Sequence, residues 1–177
     1  EDIDIAIKSS KDAFIQWSKV APKERGKILL KIAEDIEAKI EDIAKIISRE
    51  TGNAIRTQAR PETNLVVDIF RYFGGLSSEL KGETLPLGEN VLSYTRREPI
   101  GVVGAIIPWN APVMLGALKI APALCAGNTI VMKAAEDAPL AIMRIAEICQ
   151  KHLPPGAFNL VTGTGSECGE PLAYHSD

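Results

Sequence analysis

Beyond Pro99, short β-branched apolar segments alternate with longer helical ones, and that alternation admits very few folds. Strands are expected at Gly101 to Ile107, Asn128 to Lys133 and Phe158 to Val161, with helices near Pro112 to Cys125 and Ala138 to His152. Spacing of this kind gives right-handed βαβ crossovers and therefore an α/β fold with a parallel sheet covered on its faces. The first strand, Gly101-Val102-Val103-Gly104-Ala105-Ile106-Ile107, has no polar side chain and reads as fully buried. From Pro99 to Ala135 the only charges are Lys119 and Lys133, so polar groups in this core stretch need a partner or a task.

Upstream the chain reads as helical. Ile3, Ile7, Phe14 and Trp17 share one face, and Ala21-Pro22 breaks it. Ile28, Ile32, Ile36, Ile40, Ile43 and Ile47 then recur at helical spacing and predict one long helix ending at Thr51-Gly52. Leu65, Ile69, Tyr72 and Leu76 predict a third helix with that stripe inward, closed near Gly82 after Gly74-Gly75. Pro86 and Gly88 then mark turns, and Val91 to Arg96 alternates like an exposed edge strand, a kind that often pairs with another segment or subunit. The expected organisation is a helical part at 1–82, a strand segment at 83–98 and a βαβ part at 99–177.

A length of 177 residues suits roughly one domain, and a net charge of −3 with interspersed signs leaves no basic footprint for nucleic acid. Pro108, Asn110, Pro112, Lys119 and Pro122 interrupt the apolar run well short of the roughly 20 residues a membrane span needs. Neither nucleic acid nor membrane is an expected partner. No secretory, transit or lipidation signal stands at either visible end, so cytoplasm is the expected compartment. Cys125, Cys149 and Cys168 are odd in number and lack metal-ligand spacing with His152 and His175, so neither a disulfide scaffold nor a metal site is expected.

Three expected strand ends carry groups that could do chemistry, and ligands of open parallel sheets sit at such ends. After the first comes Pro108-Trp109-Asn110-Ala111-Pro112, where Pro112 suits the first helical position, Ala111 the cap, and Asn110 lies one residue outside. An amide held between two prolines can offer N–H donors to a developing oxyanion; the other reading is a turn residue bonding its own backbone. After the second comes Lys133-Ala134-Ala135-Glu136, an ammonium and a carboxylate able to hold ribose hydroxyls, or else two solvated charges. A carboxylate there suits a free 2′-hydroxyl and repels a 2′-phosphate, which favours NAD over NADP. After the third comes Thr162-Gly163-Thr164-Gly165-Ser166-Glu167-Cys168-Gly169, whose Gly163, Gly165 and Gly169 could let backbone approach a pyrophosphate at the start of a helix. Lys119, in an otherwise apolar helix, is either a snorkelling stem or a lysine with a role. Cys125 and Cys149 read as core residues, and Cys168 has no visible base arranged to activate it.

The order Glu98-Pro99-Ile100-Gly101-Val102, Pro-Trp-Asn-x-Pro, Ala123-Leu124-x-x-Gly127-Asn128-Thr129, Lys-x-x-Glu, and Gly156-x-Phe158-Asn159-Leu160-Val161 with its glycine loop resembles the NAD-dependent aldehyde dehydrogenase superfamily. The resemblance is specific from about Glu83 onward, and the helical first part is compatible. It implies a Rossmann-like sheet and an oxidation of aldehyde to carboxylic acid through a cysteine thiohemiacetal. Asn110 would stabilise the oxyanion, Lys133 and Glu136 would hold the adenosine ribose, and Ile106, Ile107, Pro108 and Trp109 would line the cofactor. Lys119 would lie near the substrate channel as a proton relay, with Ala111 and Met114 on the substrate side. Residues 83–98 would form an oligomerisation hairpin of a homodimer or homotetramer.

Two departures and one absence qualify that expectation. Ala111 stands where the family commonly has a bulky aromatic, which implies room for a wider aldehyde. Ala134 replaces a usual proline but keeps Lys133 and Glu136 in register. The family's catalytic cysteine and general-base glutamate match no motif here, so the chain is expected to be the cofactor-binding portion of its enzyme, inactive alone. A coenzyme A-acylating dehydrogenase, a non-catalytic nucleotide-binding module and a structural helical partner remain open alternatives.

Overall fold

The computed structural model describes residues 1–177. Seven α-helices and five strands run in the order α1 (Asp2–Trp17), α2 (Pro22–Glu37), α3 (Ile40–Thr51), α4 (Arg60–Leu76), β1 (Thr84–Leu85), β2 (Ser93–Tyr94), β3 (Val102–Ile106), α5 (Pro112–Ala126), β4 (Thr129–Lys133), α6 (Leu140–Gln150), β5 (Phe158–Val161) and α7 (Glu170–Ala173). β1 and β2 form a small antiparallel ladder, while β3, β4 and β5 form a parallel sheet in that order. The fold is α/β with a parallel sheet and flanking helices. No helix is long and apolar enough to cross a membrane.

Alternation along β4 divides the core in two. Ile130 and Met132 face the main apolar cluster built with α2, α4, α5 and α6, whereas Val131 faces a smaller one with Ile3, Ala6, Ile7, Cys168 and Leu172. α1 is stitched to the second face by polar groups. The Ser10 hydroxyl donates to the Gly156 carbonyl at 3.1 Å, Asn159 donates to the Ser10 hydroxyl at 2.9 Å, and the Thr129 hydroxyl donates to the Ser10 carbonyl at 3.0 Å. Ser10 and Thr129, both fully buried, are thereby satisfied where water is excluded.

Three details differ from the sequence reading. The long isoleucine-rich helix is two helices, because Lys39 leaves helical geometry (φ −124°, ψ 16°) and its N–H turns to the Ile36 carbonyl. The two-residue turn at Ala38-Lys39, with only Lys39 out of helical geometry, leaves the apolar period intact, so neither glycine nor proline marks it. In α4 the buried face is Val66, Val67, Ile69 and Phe70, while Leu65 and Tyr72 are exposed. Packing between α2 and α5 turns the helix to that face, with Gly26 of α2 against Gly74, and α4 closes at Leu76 rather than near Gly82. Finally, β3 is not fully buried. With only β4 beside it, it leaves Gly104 and Ile106 exposed, whereas all five residues of β4 are buried.

Candidate active site

Sheet register sets the site. Ile106 pairs with Lys133, and Lys133 pairs with Val161, so the three carboxyl ends lie side by side. The Ile107 N–H donates to the Lys133 carbonyl at 3.2 Å and the Ala134 N–H to the Val161 carbonyl at 3.0 Å, which carries the ladder one residue past each strand. Three segments then diverge from one edge: Pro108 to Pro112, Ala134 to Glu136, and Thr162 to Gly169.

Pro108, Trp109 and Asn110 are exposed, and α5 begins at Pro112 as its ring favours. Ala111 occupies the cap position (φ −147°, ψ 63°) and has no side-chain acceptor for the helix donors. Glu62 of α4 supplies one instead: its Oε1 accepts the Val113 N–H at 3.1 Å and the Met114 N–H at 3.2 Å. Burial pushes the Glu62 carboxyl up, against the lowering effect of those two donors and with a small further push from Glu50. The Asn53 amide, just after α3, donates to the Asn110 carbonyl at 3.1 Å. Sequence reasoning passed over both Glu62 and Asn53, since each lies more than fifty positions from its partner. An apolar cap residue before a helix that starts on proline is the signal that a distant acceptor is required.

Lys133 is 4% exposed and its ammonium bonds Glu136, a half-exposed carboxylate three residues on. That bond holds Glu136 below the usual carboxylate range, helped by its own backbone N–H and by that of Gly165. At the third strand end, Gly163 has φ +152° and a Cβ there would stand 2.5 Å from the Cys168 sulfur, so glycine is required. The expected helix after this loop is instead a π-helical turn, Gly165–Gly169, running into the four-residue α7. The Thr164 hydroxyl accepts the Glu167 N–H at 3.3 Å, and two glycines within five residues favour the wider turn over a regular helix. At Gly165 a Cβ would meet nothing within 4 Å, and Gly169 is buried near Ile106.

Other candidate residues are placed less centrally. Lys119 is exposed, about 10 Å along α5 from Pro112, and pairs with no carboxylate. Met114 is half-buried against the main cluster and Ala111 is half-buried at the cap. All three cysteines are buried; burial raises the Cys125 and Cys149 thiols, and the Cys168 sulfur donates to the Thr162 carbonyl at 3.4 Å. No group of three or more His, Cys, Asp or Glu side chains gathers to hold a metal.

Known proteins share this fold. The model of the aldehyde dehydrogenase family matches residues 1–177. A long-chain-aldehyde dehydrogenase of Acinetobacter sp is 42% identical over 173 residues, 98% of this chain and 34% of that protein. PnpE in complex with nicotinamide adenine dinucleotide superposes with a TM-score of 0.96 at 42% identity, covering 99% of this chain and 36% of that one, and PnpE from Pseudomonas sp. WBC-3 gives 0.94 at 42% identity over 98% and 36%. Glyceraldehyde-3-phosphate dehydrogenase GapN of Methanocaldococcus jannaschii, complexed with NADP, gives 0.94 at 33% identity over 99% and 39%. The chain thus spans about a third of the length of these relatives. With the family model running from its first residue to its last, and the fold shared with relatives 42% identical, this chain belongs to the aldehyde dehydrogenase family.

Proposed function

We propose that the enzyme containing this chain oxidises an aldehyde to a carboxylic acid, and that this chain provides its NAD cradle and one oxyanion donor. The observation that carries the reading is the register of Ile106, Lys133 and Val161, which brings the Asn110 turn, the Lys133–Glu136 pair and the glycine loop to one sheet edge. These residues fit a dinucleotide. Ile106 and Trp109 leave apolar surface about half exposed, Glu136 offers a half-exposed carboxylate for ribose hydroxyls, and Gly165 has open space where a side chain would stand. NAD when bound supplies a two-electron acceptor. An ionised Glu136 beside that acceptor's ribose favours NAD over NADP, although relatives are known with either.

Asn110 performs the other function. Its exposed amide presents N–H donors without needing to reorganise, because the turn that carries it is fixed at both ends. With all three cysteines of this chain buried, the nucleophile that attacks the aldehyde is a cysteine outside these residues, and Asn110 stabilises the oxyanion once that bond has formed. Lys119 is a candidate proton relay at the outer part of α5, and Ala111 and Met114 line the aldehyde's side. The β1–β2 hairpin, with Leu85, Val91, Leu92 and Tyr94 exposed, joins copies into a homodimer or homotetramer.

The test is turnover by the full-length enzyme with NAD and with NADP over a panel of aldehydes, with and without coenzyme A. NAD-dependent acid formation without coenzyme A is expected. Strict dependence on coenzyme A would establish the acylating alternative, and no NAD-dependent turnover would leave a nucleotide-binding module.

A further inference from the structure

The Asn110 turn is held from outside the sheet as well as by it. On one side the Ile107 N–H closes the strand ladder on Lys133. On the other, the start of α5 lacks a cap of its own, and the buried carboxylate of Glu62 receives its Val113 and Met114 N–H groups. Between them the carbonyl of Asn110 itself receives the Asn53 amide. Pro108 and Pro112 fix their own φ on either flank, and with these hydrogen bonds they restrict the turn that carries the Asn110 amide.

Simple helix stabilisation does not require this arrangement. A Ser or Asp at position 111 would cap α5 locally, without burying a carboxylate from another helix. The remote acceptor accomplishes something a local cap cannot: it ties the start of α5 to α4, whose own position is set by packing against α2 and α5. Asn53 adds a bond to the one peptide whose orientation most directly aims the Asn110 side chain.

We infer that Glu62 and Asn53 are positioning residues for the Asn110 amide, acting from the α3–α4 region to aim the oxyanion donor. This rests on the oxyanion role proposed for Asn110. A displacement near 1 Å at a reacting centre costs about 10²-fold in rate, so partial loss of this support should cost about 10- to 100-fold.

The experiment is a set of cycles in the full-length enzyme. Glu62→Ala and Asn53→Ala should each lower kcat about 10- to 100-fold, with NAD affinity and the aldehyde KM nearly unchanged. Glu62→Gln keeps an oxygen acceptor and should restore most of the loss. In an Asn110→Ala background neither alanine change should lower kcat further, because the group they aim is gone. Equal losses with and without Asn110 would overturn the inference by showing general structural damage. Full turnover in both alanine variants, where Asn110→Ala alone is impaired, would overturn it while sparing the oxyanion reading. Full turnover of Asn110→Ala would remove both. Should Glu62→Ala fail to fold, the Asn53→Ala cycle decides the matter in the same terms.

Discussion

Ile106 and Ile107 are neighbours in sequence that face opposite sides of the sheet. Ile106 is 51% exposed beside Gly169, on the α7 side, while Ile107 is 2% exposed and approaches Gly116 of α5. One strand end therefore serves two surfaces, the glycine loop with Lys133 and Glu136 on one side and the Asn110 helix on the other. Inserting a single residue into β3 would exchange those faces, which is why the register is so tightly specified.

Replacing Asn110 by Ala in the full-length enzyme should reduce kcat by about 10² to 10³, the scale of one lost oxyanion donor. NAD binding should hardly change. Steady-state kinetics with an NAD titration separate the two effects, and near-normal turnover would remove the assigned role.

Glu136→Gln should narrow the preference for NAD over NADP by about tenfold, the order expected for loss of one charge-assisted hydrogen bond and of a charge that repels a 2′-phosphate. Lys133→Ala should weaken both cofactors, because its ammonium also holds Glu136 in place. Calorimetric titration of each variant with both nucleotides checks this. An unchanged ratio in Glu136→Gln would place the ribose elsewhere.

Burial raises the Glu62 carboxyl above its ordinary 4.5. A carboxyl with a folded value above its unfolded one contributes stability that is complete below the unfolded pKa and is lost as pH rises through the folded value. Glu62→Gln, which cannot ionise, should therefore gain in melting temperature relative to the unsubstituted protein as pH rises from about 4 to about 8. Glu50, raised by burial in the same way while accepting the Leu140 and Ala141 N–H groups, should behave alike. A trend of opposite sign would mean that the helix donors outweigh desolvation.

Gly163→Ala forces a side chain into a left-handed region and against the Cys168 sulfur. A cost of about 1 to 3 kcal/mol is expected, read as a lower melting temperature and weaker NAD binding. Cys168→Ala in the same protein should return the steric part of the loss but not the backbone part.

Ala111→Phe should shift relative rates away from wide aromatic aldehydes towards short aliphatic ones. Competition between one aldehyde of each kind measures the ratio directly. An unchanged ratio would mean that Ala111 does not border the substrate.

Local chemistry made much of this molecule readable. The β-branched runs flanked by glycine and proline located all three parallel strands to within a residue or so, and Pro112 placed the start of α5 with Ala111 at its cap. Lys133 and Glu136 stood out at the second strand end as two charges three positions apart, but that the two bond each other is a finding of the structure. Long-range relationships were not readable. Glu62 and Asn53 carry no local mark of their partners, the exposure of β3 depends on which strand neighbours it, and the inward face of α4 is chosen by α2 and α5 on either side. The break at Lys39 escaped because one non-helical residue barely disturbs a spacing of three or four.

The Ser10 stitch has a consequence for the order of assembly. Its partners lie 119, 146 and 149 positions later, so during synthesis α1 leaves the ribosome long before its seat on β4 and β5 exists. Among the elements described, α1 precedes the others in the chain yet is among the last to dock, and closing so long a loop makes that docking a late, slow step. Until β4 and β5 have emerged, Ile3 and Ile7 lack the Val131 and Val161 surface they cover and are the apolar surface a chaperone would find.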